Sequence, residues 1–279
     1  MNSTIRGFLL TGFAAAAALA VIPSALGRGS HGTKAPSSSS DSSSDSSAET
    51  PLPTGPDALR QIVQDRCVLN WQQHQDSSPC ERVFLADPKA GGSGYAVLAD
   101  RKGGAHYLLV PTQTMNGTDG GELLDPDLPN YFAEAWHSRD LITQFVGHEV
   151  PRSAIGLAVN TAHTRTQNQF HIHIDCLRRD VVESLRASAE RMTDTWSPID
   201  IAGSTYQGMR IATEGLDGSN PFELLAGLKP DVRHHMGDYT LVAAGMQFKS
   251  GPGFILLTAT GPTGELLMDS SCSVAGGGG

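Results

Sequence analysis

A basic surface is the first thing this 279-residue chain lacks: 20 Lys and Arg stand against 29 Asp and Glu, for a net charge of −9. Residues 1–56 carry three basic and three acidic side chains, so the whole excess falls on residues 57–279. No stripe of Lys and Arg is interleaved with aromatics either. A domain this acidic repels a phosphate backbone, which argues against nucleic acid as a partner. There is no Gly-rich P-loop, no Gly-x-Ser-x-Gly elbow and no Glu-rich pyrophosphatase box with divalent metals. Cysteine is scarce, at four, and no Cys-x-x-Cys pair occurs, so a cysteine zinc site is not expected.

The N-terminus has a clear pattern. Arg6 precedes an uncharged run from Gly7 to Gly27, rich in Ala and Leu and interrupted by Pro23. A basic start followed by an apolar run marks an export signal, with Ala18-Leu19-Ala20 as a cleavage site. The run is also long enough to serve as a retained membrane anchor, which takes about 20 apolar residues. Residues 28–56 are Ser-rich and then Pro-rich, the composition of a disordered tether. One folded domain is expected over 57–275, with a flexible Gly tail at 276–279. Export and an even cysteine count favour two disulfides among Cys67, Cys80, Cys176 and Cys272. Of the three possible pairings, Cys67–Cys80 would close a short loop and leave Cys176–Cys272 to tie down the C-terminus.

Within the domain the periodicities alternate. "DALRQIVQDRCVL" has helical spacing, and "GYAVLAD" and "AHYLLVP" read as a hairpin turned by "RKGG". A helix is expected from Pro129 to Gly147, then a buried strand "AIGLAVN" ending at Asn160. After the strand that follows, "RRDVVESLRASAERMT" reads as an amphipathic helix. A second set comes next: strands in "TYQGMRIAT", "YTLVAAGMQF" and "GFILLTATG", and a short helix in "NPFELLAGL". The class is α+β, an antiparallel sheet with helices packed on one side.

The chemistry concentrates in "RTQNQFHIHIDC", Arg165 to Cys176. Phe170, Ile172, Ile174 and Cys176 alternate with Gln169, His171, His173 and Asp175. Residues two apart share a face of a strand, so an oily row backs a row of Gln, His, His and Asp. A neutral imidazole attacks a phosphoanhydride if one ring nitrogen is free and the other donates to an acceptor. His171 and His173 are the catalytic candidates, one as nucleophile and one as acid or base. Asn160, Arg165, Thr166, Gln167, Asn168 and Gln169 are candidate substrate-binding donors, Arg165 being the best shaped for a phosphate.

"FHIHI" with its polar approach resembles the histidine-triad superfamily of nucleotide hydrolases and transferases. Within it, the chain most resembles the bacterial CDP-diacylglycerol pyrophosphatases. "LLVPTQTMNGT", "NYFAEAWHSRD", "AVN", "RTQNQFHIHIDC" and all four cysteine positions carry that resemblance, over roughly 57–275. It implies a HIT-like fold, possibly two HIT-like halves in one chain. It also implies cleavage of CDP-diacylglycerol to CMP and phosphatidate through a nucleotidyl-histidine at His171, with no cofactor. Gln169 stands where the triad's first histidine is expected, and His163 is a candidate substitute. The second half would replace a partner subunit, giving a monomer. The protein would be anchored in the inner membrane with its domain on the periplasmic side, or secreted there. Three other readings compete. A soluble nucleotide conjugate could be the substrate. His171, His173 and Asp175 could bind a metal, although the outer pair of such a run lies ~13 Å apart at the backbone. The domain could also be a non-catalytic, disulfide-stapled binding module.

Overall fold

The structure, a computed structural model, describes residues 51–86 and 94–276. The N-terminal apolar run, the tether up to residue 50 and most of the Gly tail lie outside these. No helix of the described residues is long and apolar enough to cross a membrane.

Among the described residues nine strands form one antiparallel sheet: β1 Arg82–Phe84, β2 Tyr95–Ala99, β3 Tyr107–Pro111, β4 Ile155–Val159, β5 Ile172–Cys176, β6 Ser197–Ile201, β7 Ser204–Ile211, β8 Tyr239–Phe248 and β9 Gly251–Thr260. Their spatial order is β1-β2-β3-β5-β4-β8-β9-β7-β6. The order β2-β3-β5-β4 recurs as β6-β7-β9-β8, and the two sets join where β4 pairs with β8. The long runs of β8 and β9 are joined only by Lys249 and Ser250, a tight hairpin that fixes the register from Tyr239↔Thr260 to Phe248↔Gly251.

Helices cover both faces of the sheet, not one as the sequence suggested. On one face lie α3 (Tyr131–His137), α4 (Asp140–Val146) and, from the second set, α6 (Pro221–Ala226). Phe132, Trp136, Ile142 and Phe222 bury there against Leu109, Ile172, Ile174, Leu241 and Phe254. On the other face α1 (Ala58–Ile62) sets Leu59 and Ile62 on Ala96, Leu98, Leu108 and Val110. Further along that face, α5 (Arg179–Ser188) sets Val181, Val182 and Leu185 among Ala158, Val242, Ile255 and Leu257. Strands buried on both faces need apolar residues at every position, and β3 and β4 read that way. A π-helical turn, Val63–Val68, links α1 to α2 (Leu69–His74).

The helix expected from Pro129 to Gly147 is broken at Ser138 and Arg139. Ser138 Oγ donates back to the Glu134 carbonyl, and the Arg139 guanidinium turns to donate to the Trp136 carbonyl while resting 4.4 Å over its ring. Such local bonds compete with helix continuation. Gly147, at φ 77°, ends α4 in the left-handed conformation that suits glycine. Both disulfides, Cys67–Cys80 and Cys176–Cys272, are formed. The second pins the C-terminal segment around the end of β5, where Asp269 N–H donates to the Cys176 carbonyl.

Candidate active site

The two helix layers on the second face leave a gap between them, and β5 runs along its floor. α1 stands over β2 and β3, while α5 stands over β4, β8 and β9. His173 pairs in register with Leu108 of β3 and Ala158 of β4, so its side chain rises into the gap with His171 and Asp175 beside it. The row is buried: His171 is 8% exposed, His173 3% and Asp175 1%. The equivalent strand of the second set, β9, carries Ile255 and Leu257 on this face, packed under α5. One end of the sheet can therefore do chemistry, and the other is filled.

His171 is fixed by its backbone. Its Nδ1–H donates to the Gln169 carbonyl at 2.8 Å, which leaves the Nε2 lone pair uncommitted. Its ring meets that of His173 edge-on, with centroids 4.9 Å apart. Burial holds the His171 pKa below the usual imidazole value, which favours the neutral form at pH 7. Burial, and then the neighbouring His171 and His106, push His173 well below it too.

His173 is the middle of a longer chain. Its Nδ1 shares a hydrogen bond of 2.8 Å with Nε2 of His106, a 2%-exposed residue just before β3. His106 Nδ1 lies 3.7 Å from Asp175 Oδ2, and neither atom has a hydrogen-bond partner among the described residues. Burial pushes the Asp175 carboxyl up to about 7, against the hydrogen bond its Oδ1 accepts from Cys176 N–H. Beyond the other ring nitrogen, His173 Nε2 faces Glu265 Oε1 and Asn160 Nδ2, each at 3.3 Å. Asn160 Nδ2 also donates to Glu265 at 2.8 Å, and its Oδ1 accepts from Thr263 Oγ and Gly264 N–H. Lys102 pairs with the other Glu265 oxygen. Burial raises the Glu265 pKa, but hydrogen bonds from Lys102 and Asn160 outweigh it and hold the group ionised. Gly264 permits the close approach of this segment: a Cβ there would stand 2.8 Å from that of Ala158.

The other expected residues divide. Arg165 lines a small pocket with His171, Asn160, Gln169 and Gly117. Its Nη atoms are gripped by Asp119 at 3.0 and 2.6 Å, which fixes the guanidinium and leaves its other N–H groups to donate. Gly117, at φ 53°, admits it; a Cβ there would sit 2.0 Å from Arg165 Nη1. Gln169 lines that pocket too, with its side chain engaged: its amide donates to the Pro111 and Gln113 carbonyls and accepts from Met115 N–H. Thr166 and Gln167 line a separate pocket, while Asn168 faces Asp57 at the surface. His163 is exposed and lies beside Asp238, away from the histidine row.

That separate pocket, about 190 Å³, has an apolar floor of Leu59, Ile62, Leu98 and Leu108 and a polar rim that includes Asp100, Lys102, Thr166 and Gln167. It adjoins the histidine row across the β3–β5 pair, because Leu108 is the register partner of His173. Sequence reasoning missed His106, Glu265 and this pocket. His106 was findable in part, since it stands in phase with Leu108 and Val110 on the face that α1 covers. Asp100, His106 and His173 also offer ligand atoms all within 4.8 Å of one another, a closer set than the His171, His173 and Asp175 run.

A family model described as CDP-diacylglycerol pyrophosphatase matches residues 54–276, well over half of the chain. The chain belongs to that family, and it is a phosphoanhydride hydrolase of CDP-diacylglycerol.

Proposed function

We propose that the chain cleaves CDP-diacylglycerol in two displacements through His171. The free Nε2 lone pair of His171 beside the donors of Arg165 is the observation that carries this reading. His171 Nε2 attacks the phosphorus next to cytidine. A P–N bond forms, the anhydride P–O bond breaks, and phosphatidate leaves with the bonding electrons. Water then attacks the cytidylyl-histidine, and CMP leaves as the P–N bond breaks. His173, with His106 and Asp175 behind it, takes the water's proton, while His171 departs as neutral imidazole with its Nδ1–H still on the Gln169 carbonyl. The remaining N–H groups of Arg165 face the charge that grows on the phosphoryl oxygens.

The apolar pocket suits the nucleoside: a flat ring on Leu98 and Leu108, with polar edges met by the rim. Two acyl chains are far too large for it. The recurring strand order supports a HIT-like fold in two halves within one chain, the second half standing in for a partner subunit in a monomer. Two disulfides and the N-terminal apolar run support action on the exported side of the membrane, tethered or released.

The experiment is to mix the protein with CDP-diacylglycerol and quench quickly in base, because a phosphoramidate to histidine is labile in acid. CMP attached to His171 is expected, and His171→Ala should abolish both adduct and turnover. Turnover that persists in His171→Ala would overturn the mechanism.

A further inference from the structure

The first described residues, 51–56, lie at the mouth of the nucleoside pocket. Residues 51–56 run along its edge. The Pro53 carbonyl accepts from Arg101, the Gly55 carbonyl from Gln167 Nε2 at 3.0 Å, and the Pro51 carbonyl from Arg66 at 2.9 Å. Arg101 and Gln167 both line the pocket, so this strap borders it directly. On the far side the rim continues through Lys102, which lines the pocket and holds Glu265, to Leu266.

Among the described residues two large apolar side chains stand exposed here: Leu52, at 42%, in the strap, and Leu266, at 55%, next in the chain to the Glu265 that Lys102 holds. Between them lie Arg101, with no carboxylate at ion-pair distance among the described residues, and Lys102, whose side chain is 63% exposed. Apolar side chains flanking cations, on a domain that is otherwise strongly acidic, match the headgroup boundary of an anionic bilayer. The apolar run at 7–27 supplies a reason for a bilayer to be close, and the chain that carries it joins the domain at this rim.

We propose that the rim formed by residues 51–56, Arg101, Lys102 and Leu266 is a docking surface for an anionic phospholipid bilayer. Docked this way, the pocket opens on the membrane. The nucleoside diphosphate enters from the interface while the acyl chains stay in lipid, so the substrate need not be extracted. The proposal rests on CDP-diacylglycerol being the substrate.

The test uses the full chain with vesicles of phosphatidylcholine and phosphatidylglycerol. All four native cysteines are in disulfides, so a single introduced thiol takes an environment-sensitive fluorophore. Leu52→Cys, Leu266→Cys and, as a control on α4 over the opposite face, Phe145→Cys are labelled separately. Blue-shifted emission and protection from an aqueous quencher are expected at 52 and 266, with no change at 145. Protection at all three positions, at none, or at 145 alone overturns the surface. CDP-diacylglycerol hydrolysis by the same labelled proteins in detergent micelles is scored independently. Hydrolysis without protection refutes the docking surface only, whereas protection without hydrolysis refutes the substrate reading.

Discussion

Replacing Asp175 by Asn separates the electrostatic cost of the site from its use. The carboxyl ionises near 3.8 in an unfolded chain and at about 7 in the fold, because burial disfavours its charge. Between those values the folded protein holds a proton that the unfolded chain has released, so stability falls as pH rises. The loss begins above 3.8 and is complete above about 7. Its full size is roughly 4 kcal/mol at about 1.4 kcal/mol per unit. About 1–2 kcal/mol of it has already gone at pH 5, which leaves roughly 2–3 kcal/mol between pH 5 and pH 9. Asn has the same shape and no charge. Urea unfolding at the two pH values, with both disulfides intact, should therefore show the variant gaining that amount on the wild type as pH rises. His171 and His173, whose shifts Asp175 does not cause, titrate in both proteins and cancel in the comparison. Activity should move the other way. The carboxyl oxygen at 175 lies 3.7 Å from His106 Nδ1 and draws a proton to it, whereas an amide Nδ2 at that place carries hydrogens of its own and favours the opposite tautomer. The His106–His173 bond then runs backwards, and kcat should drop by roughly 10²–10⁴, the usual worth of acid–base help. Parallel pH dependences of stability would refute the assignment of a buried, uncharged Asp175. Unchanged kcat would remove His106 and Asp175 from the proton path.

Gln169→His restores the sequence of a full triad but breaks three backbone hydrogen bonds that an imidazole cannot replace together. It should lower stability by about 1–3 kcal/mol for each group left unpaired, with no gain in rate. Faster turnover at unchanged urea midpoint would show that the position transfers protons after all. Sedimentation equilibrium of the full chain in detergent should give one chain per particle, since β8 already occupies the sheet edge that β4 would offer to a second copy. An obligate dimer would refute the substitution of one half for a partner.

The sequence alone determined the histidine row. A two-residue alternation can be satisfied only by a strand, so Ile172, Ile174 and Cys176 had to face one core and His171, His173 and Asp175 the other way. Local chemistry likewise announced the hairpin of β2 and β3. Closing of the short Cys67–Cys80 loop was one of three pairings the composition allowed, and it is the one that forms. Periodicity also marked α1 and α5 as amphipathic, but it carries no information about which face of the sheet each would cover. That choice depends on strand order, and strand order placed them apart on the same face, over the histidines' side. The gap between them is what makes a site of the row.

Only the tertiary structure could supply the partners of His173. Glu265 lies 105 residues from Asn160 along the chain, and His106 lies 67 from His173. A lone histidine at a strand end and a glutamate in a C-terminal turn look like ordinary solvated groups until β3 pairs with β5 and Cys272 ties the turn beside Cys176. Gln167 is a similar case: the fold gives its side chain the Gly55 carbonyl and the Leu59 N–H as partners, over a hundred residues away in the chain. Patterns of two and 3.6 residues fix which side chains leave the core together. Contacts between segments a hundred residues apart are set by sheet order and by the covalent tie at Cys176–Cys272, and neither is written in any local stretch.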